Sequence, residues 1–302
     1  MKHFAVILLW VSHFSLANAQ QPSSVFITAG QSNADGRVYN SELPEYLNDG
    51  YRFLHYANVT RSCDGMFGKR IFEPGGRWAF CDVVNYYIEQ NLQRDFYAVK
   101  CTYGGTAIAP GVTAEKLPVW YADAEWIAAN HAYHGNIQTG KSLTKSLTEG
   151  FAQLVNETLS KLEHGYDVKA IMWHQGESDR KAADQYYDNF KSMITYIRHA
   201  IYEITGDEKD LTLPFIFGTI SHRSTQYNPT VEKAQLQVAK DIPCVYYIDL
   251  SDAGLGRDNL HFDGPWTEYV GKQMFNKLVE LGLVEGETLY IIKPNESNGH
   301  NK

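Results

Sequence analysis

Five short apolar segments, rich in β-branched or aromatic residues and interleaved with stretches of helical periodicity, constrain this chain most strongly. They are residues 24–29 (SVFITA), 96–102 (FYAVKCT), 168–173 (VKAIMW), 213–219 (LPFIFGT) and 244–248 (CVYYI). Strands that read as near-continuous apolar runs are buried on both faces, the condition of a parallel sheet covered by helices. Apolar residues at spacings of three and four predict helices over residues 77–90, 143–162, 186–204, 229–239 and 266–281. The expected architecture is therefore α/β, with a five-stranded parallel sheet and helices on both faces.

Composition narrows the partners. Lys and Arg number 27 against 35 Asp and Glu, a net charge of −8. Nucleic-acid binding rests on clustered basic charge, and no such cluster is visible, so no nucleic-acid partner is expected. A mean hydropathy of −0.36 and the lack of a long apolar run speak against membrane insertion. The first residues read as a secretory signal. Lys2 and His3 precede an apolar stretch over residues 4–11, and Ala17-Asn18-Ala19 is a small-x-small cleavage pattern. The expectation is a signal peptide over 1–19, one large domain over 20–290, a disordered polar tail over 291–302, and a secreted or periplasmic protein. In an oxidising compartment, four cysteines are expected to pair. Cys63–Cys81 is the expected loop staple and Cys101–Cys244 the expected bridge between neighbouring strands. The oligomeric state is left open.

Open α/β sheets bind ligands beyond the carboxyl ends of their strands. Three of the expected strands end in small or polar clusters: Gly30-Gln31-Ser32-Asn33, Tyr103-Gly104-Gly105-Thr106 and His174-Gln175-Gly176-Glu177. The fold rule gathers them on one rim. Ser32 follows the first strand by two residues, where it is either a helix cap or a nucleophile. It does not sit in a G-x-S-x-G elbow, because position 34 is Ala34. Asp258 lies three residues before His261, close enough for its carboxylate to meet Nδ1–H and leave Nε2 to take a proton from a serine. Gln175 is a neutral amide able to donate to a developing oxyanion, and Ser178 or Asp179 suits a helix cap.

These blocks together resemble the SGNH/GDSL hydrolase superfamily, in the branch of sialate O-acetylesterases and acetylxylan esterases of carbohydrate esterase family 6. The resemblance runs over roughly residues 24–281. It implies a three-layer α/β/α flavodoxin-like domain and the O-deacetylation of an acetylated carbohydrate. It also implies an acetyl-serine intermediate and no metal or other cofactor. Carried over, Ser32 is the nucleophile, His261 the general base and Asp258 its acid, with Glu177 as an alternative acid or an orienting group. The amides of Ser32, Gly104 and Gly105 with the Gln175 side chain are the implied oxyanion hole. Gln31, Asn33, Asp35, Arg37, Thr106 and His174 are the implied substrate contacts. Where the commoner pattern reads GQSNMAG, this chain has Ala34-Asp35-Gly36 followed by Arg37, and Asp35 beside the nucleophile is the departure that bears on substrate preference.

The segment 110–140 is rich in aromatic residues and lacks strong periodicity, as a binding loop or lid would be. Trp120, Tyr121, Trp126 and Tyr133 are candidates to stack on sugar rings, weighed against ordinary packing. His131 and His134 have metal-like spacing, but no carboxylate or cysteine completes a ligand set. Two other readings stay open: a GDSL lipase or arylesterase of broader specificity, and a non-catalytic carbohydrate-binding protein on an esterase fold.

Overall fold

The computed structural model describes residues 21–58, 66–115, 117–130 and 145–294. In chain order the strands and helices begin with β1 (Ser23–Gly30), α1 (Ser32–Asp35), β2 (Val38–Tyr39), β3 (Leu54–Asn58), β4 (Arg77–Trp78) and α2 (Phe80–Leu92). Next come β5 (Phe96–Thr102), α3 (Ala124–Ala129), α4 (Leu147–Leu159), β6 (Tyr166–His174) and α5 (Tyr186–Thr205). The chain then forms β7 (Phe215–Gly218), α6 (Pro229–Asp241), β8 (Val245–Ile248) and α7 (Gly264–Glu280).

Six strands form the main sheet, in the order β3-β5-β1-β6-β7-β8, and every pairing is parallel. The five expected strands are all present. The sixth, β3, is an edge strand of five residues, LHYAN, with only two of them buried. It has no apolar run and so no sequence signal of the kind that revealed the others. β2 and β4 pair antiparallel in a separate two-stranded ribbon. That ribbon takes Arg77 and Trp78, so α2 starts later than the apolar spacing suggested.

The central strand β1 divides its residues between two cores. Val25, Ile27 and Ala29 join the cluster under α4, α5 and α6, while Phe26 joins the cluster under α2 and α7. This alternation is the period-two geometry of a strand, and it makes the three layers. Trp173 is fully buried in the first cluster, against Trp120, Phe190 and Phe215. Helix starts follow local chemistry. Ser146 caps α4, Asn228 caps α6 ahead of Pro229, and Asp263 accepts from the Trp266 N–H at the start of α7.

The expected disulfides do not form among the described residues. Cys81, Cys101 and Cys244 are free thiols, and Cys63 lies outside those residues. Cys101 is on β5 and Cys244 immediately precedes β8, with β1, β6 and β7 between the two strands. Four strand spacings come to about 19 Å, beyond the Cα separation of about 7 Å that a disulfide tolerates. Burial raises the Cys81 thiol to about 11 and the Cys101 thiol to about 12, which leaves both as inert core groups. The expected signal peptide and residues 295–302 of the expected tail also lie outside the described residues. Lys293, within that tail, bonds Asp252 at 2.7 Å. Among the described residues no helix is long and apolar enough to cross a membrane.

Candidate active site

The chain builds β3 and β5 on one side of β1 and then crosses to β6 on the other. The carboxyl ends of β1, β5 and β6 therefore meet at the topological switch point, where such sheets form a crevice. Gly30 closes β1 against β6. Its φ is +128°, and a Cβ there would lie 2.2 Å from the His174 carbonyl oxygen. With no side chain in the way, the Gln31 N–H donates to that carbonyl at 2.9 Å. The next residue, Ser32, opens the single turn of α1 and is buried. Gly104 approaches it from the end of β5. A Cβ on Gly104 would sit 3.6 Å from the Ser32 Cβ and 2.2 Å from an Arg37 guanidinium nitrogen, so only glycine fits without displacing that arginine.

Ser32 and His261 line one cavity of 390 Å³, together with Gln31, Arg37, Gly105, Ser178 and residues of the 112–117 segment. Residues 229 positions apart in sequence thus share a cleft. His261 arrives on the loop between β8 and α7. Asp258 holds it from the same loop: its Oδ2 accepts from His261 Nδ1–H at 2.6 Å, and its Oδ1 accepts from the backbone N–H of Leu260 and of His261, each at 3.0 Å. Burial alone would raise the Asp258 carboxyl. The donors from His261 and Leu260 outweigh it and hold the group below its ordinary value. The carboxylate thus stays ionised and fixes the imidazole tautomer with Nε2 free to accept a proton.

Glu177 sits elsewhere. It is buried, and its Oε1 accepts from Asn33 Nδ2 at 2.8 Å. Asn33 in turn accepts, through Oδ1, the backbone N–H of Phe262 at 3.1 Å. This one amide joins the turn that carries Ser32, the loop after β6 and the loop that carries His261. Asp258 therefore contacts His261, while Glu177 orients Asn33. His174 lies beneath. Its Nε2–H donates to the Thr219 carbonyl at 3.3 Å, and its ring packs edge-on against Phe262. Burial holds the His174 ring below the usual histidine pKa against the pull of Glu177 and Thr219, and the nearby His261 adds to the lowering.

The implied oxyanion donor Gln175 and several implied substrate contacts prove to be scaffold. Gln175 is fully buried and does not line the cavity. Its Nε2 donates to the Thr106 carbonyl at 3.2 Å and to Asp179 at 2.5 Å, and its Oε1 accepts from Tyr186 at 3.0 Å. Both amide hydrogens are committed, so none is left for an oxyanion. Thr106 is also fully buried, donating to the Tyr103 carbonyl and accepting from Trp120 Nε1. Trp120 is a core residue rather than a sugar platform, stacked edge-on against Trp173 at 4.9 Å. Tyr121 and Trp126 pack edge-on against each other at 5.6 Å, whereas Tyr133, His131 and His134 lie outside the described residues. Asn33 and His174 act from below the cavity, and only Gln31 and Arg37 of the implied contacts line it. Asp35 is a support: it accepts from Thr102 Oγ1 at 2.9 Å and from Arg37 Nη1 at 2.6 Å.

Asp179 is the residue whose place the sequence did not reveal. It caps no helix; Gly176 precedes that turn. Its carboxylate accepts the N–H groups of Ile108 and Ala109, each at 2.8 Å, and so clamps the segment after Gly104-Gly105 to the loop after β6. Burial raises it to about 6 despite these donors. Among the described residues no cluster of three or more His, Cys, Asp or Glu could hold a metal ion.

Known proteins share this arrangement of elements. A probable carbohydrate esterase of Arabidopsis thaliana is 26% identical over 266 residues, which is 80% of this chain and 84% of the relative. A solved Arabidopsis thaliana structure aligns with a TM-score of 0.59 at 21% identity, over 86% of this chain and 99% of that one. The structure of NanS aligns with a TM-score of 0.59 at 14% identity, over 86% and 98%. A carbohydrate acetylesterase from Xanthomonas citri aligns with a TM-score of 0.53 at 18% identity, over 85% of this chain and 56% of that one. At these identities the structures establish the fold alone. The model of a family described as carbohydrate esterase, sialic acid-specific acetylesterase, matches residues 85–280. The chain belongs to that family, the sialic acid-specific acetylesterases among the carbohydrate esterases.

Proposed function

We propose that this carbohydrate esterase removes O-acetyl groups through a covalent acetyl-serine on Ser32. The observation that carries the reading is the cavity lined by both Ser32 and His261, with Asp258 fixed on His261 Nδ1. In the first step His261 Nε2 takes the Ser32 proton as Oγ forms a bond to the acetyl carbonyl carbon. The carbonyl oxygen becomes an oxyanion beside the Ser32 and Gly104/Gly105 amides, whose N–H groups are the proposed donors. The bond to the sugar oxygen then breaks, and the sugar leaves as an alcohol with the proton from His261. In the second step His261 takes a proton from water, the hydroxide oxygen bonds to the acetyl carbon, and acetate leaves as Ser32 regains its proton.

In this reading Asn33 and Glu177 keep nucleophile and base in register, and Asp258 supplies the tautomer and charge that His261 needs. Acetate release from acetylated sugars, compared between wild type and Ser32→Ala, tests it. The expected result is a loss of at least about a hundredfold in kcat. Retained turnover in the variant would remove Ser32 from the chemistry.

A further inference from the structure

The turn that carries the proposed oxyanion donors Gly104 and Gly105 has little shape of its own. Two glycines follow one another, the second at a φ of +76°, and glycine loses the most conformational freedom on being fixed. Its order comes from the contacts around it. In front, the Tyr103 N–H donates to the Gly30 carbonyl at 3.0 Å, two residues before Ser32. Thr106 Oγ1 closes the turn on the Tyr103 carbonyl at 2.8 Å. Behind it, residues 106–109 are buried, and three of their backbone polar groups end on two side chains of the loop after β6. The Thr106 carbonyl accepts from Gln175 Nε2 at 3.2 Å, and the Ile108 and Ala109 N–H groups donate to Asp179 at 2.8 Å each. Gln175 Nε2 also donates to Asp179, which joins the two side chains into one unit. Asp179 is fully buried, does not line the cavity and makes no ion pair with any described residue. A buried carboxylate without a cation is costly, and these three N–H donors are what offset its burial.

We propose that Asp179 is a positioning residue for the oxyanion hole: its carboxylate, acting through residues 106–109, fixes the Gly104 and Gly105 amides against the Ser32 turn. The inference rests on the reading of Ser32 as nucleophile with those amides as oxyanion donors. Two carboxylates of one loop then hold different parts of the site. Glu177 orients Asn33 and so sets Ser32 against His261, while Asp179 sets the donors for the negative oxygen. Preorganised donors act only where they meet the oxyanion, and a shift near 1 Å removes most of their effect. Asparagine at position 179 keeps one acceptor oxygen and turns an NH2 group toward the remaining donors. A proton on Asp179 acts in the same sense. Burial raises this carboxyl to about 6 despite its donors, and the neighbouring Glu177 pushes in the same direction. Tyr186, the titratable group that faces it from α5, stays neutral because burial pushes its phenol well above the ordinary value. The clamp therefore loosens as pH falls through about 6.

The test isolates the oxyanion donors by exchanging one atom of the substrate. In the thionoester of 4-nitrophenyl acetate, sulfur replaces the carbonyl oxygen and accepts hydrogen bonds weakly. The ratio of kcat/KM on the oxygen ester to that on the thionoester reads the donors, because proton transfer by His261 enters both rates and cancels. Asp179→Asn is expected to lower kcat on the oxygen ester by about a hundredfold with KM little changed. The ester-to-thionoester ratio is expected to fall at least about tenfold. Asp258→Asn, which acts through His261, lowers both rates and leaves the ratio nearly unmoved. Near-ultraviolet circular dichroism checks that each variant is folded. Should Asp179→Asn not fold, the wild-type ratio followed from pH 8 to pH 5 decides, and it is expected to drop as pH passes about 6. An unchanged ratio in folded Asp179→Asn, or a flat pH profile where that variant does not fold, overturns the proposal while leaving Ser32 chemistry intact. Full turnover in Ser32→Ala overturns the reading of Ser32 and this proposal with it.

Discussion

Asn33 is the single side chain on which the geometry of the cleft depends most. Its Nδ2 gives Glu177 Oε1 a hydrogen bond of 2.8 Å, and the other Glu177 oxygen has no partner among the described residues. Its Oδ1 satisfies the Phe262 N–H, one residue beyond His261. Asn33→Ala therefore strips the one hydrogen bond from a buried carboxylate and orphans a buried backbone donor. A hydrogen bond to a charged group is worth about 1.5–3 kcal/mol, and an orphaned buried polar group costs about 1–3 kcal/mol. The expected loss is about 3–5 kcal/mol, read as a lowered urea midpoint and a fall in Tm of roughly 10 °C. Because the same amide sets the His261 loop against the Ser32 turn, kcat should fall by about a hundredfold, as for a misplacement near 1 Å. Asn33→Asp should be worse, since it faces Glu177 with a second carboxylate. Adding Glu177→Gln to Asn33→Asp reverses donor and acceptor. The carboxylate introduced at position 33 then accepts from both the amide introduced at position 177 and the Phe262 N–H. That double variant should recover much of the stability and rate. If Asn33→Ala keeps both, or if the double variant is no better than Asn33→Asp, the bridge does not position the cleft.

Three further outcomes follow from the same contacts. Asp258→Asn should cut kcat by about a thousandfold or more while leaving the urea midpoint nearly unchanged, because the residue is exposed and acts through His261; steady-state kinetics beside denaturation checks both halves. Asp82→Ala should cost about 3–5 kcal/mol by urea unfolding, because it leaves the Arg70 guanidinium, now 2.7 Å from Asp82, without its buried partner and removes the acceptor of the Ala79 N–H. The buried His174 ring has its pKa lowered in the folded state, so the unfolded chain binds its proton first as pH falls. That part of the stability is complete above the unfolded value near 6.5 and is lost as pH drops from there toward the lower folded value. The difference in urea midpoint between wild type and His174→Gln, followed from pH 8 to pH 5, should shrink over that window.

The sheet was legible because its central strands are apolar on both faces, and so was the place of the cleft, because the switch-point rule depends only on strand order. Ser32 and His261, the extremes of the proposed machinery, share the expected rim. What the sequence hid depends on contacts between distant segments. Gln175 is the residue the motif pointed to, but whether its amide faces the cleft or Thr106 and Asp179 is set by packing of β6 against the 106–109 segment. Asp179 resembles a cap in sequence, and only the fold brings the Ile108 and Ala109 N–H groups to it. The edge strand β3 carries polar residues in a pattern any loop could have. The expected Cys101–Cys244 bridge failed because β5 and β8 both read as buried strands, while their separation in the sheet is a property of the order of all six.

The central claim is that Ser32 is the nucleophile, and a fluorophosphonate probe tests it most directly. After labelling of the intact enzyme and peptide mapping by mass spectrometry, the account predicts one adduct on Ser32, formed in step with loss of esterase activity and slowed in His261→Ala. An adduct on a different serine, or full labelling and activity in Ser32→Ala, would contradict it.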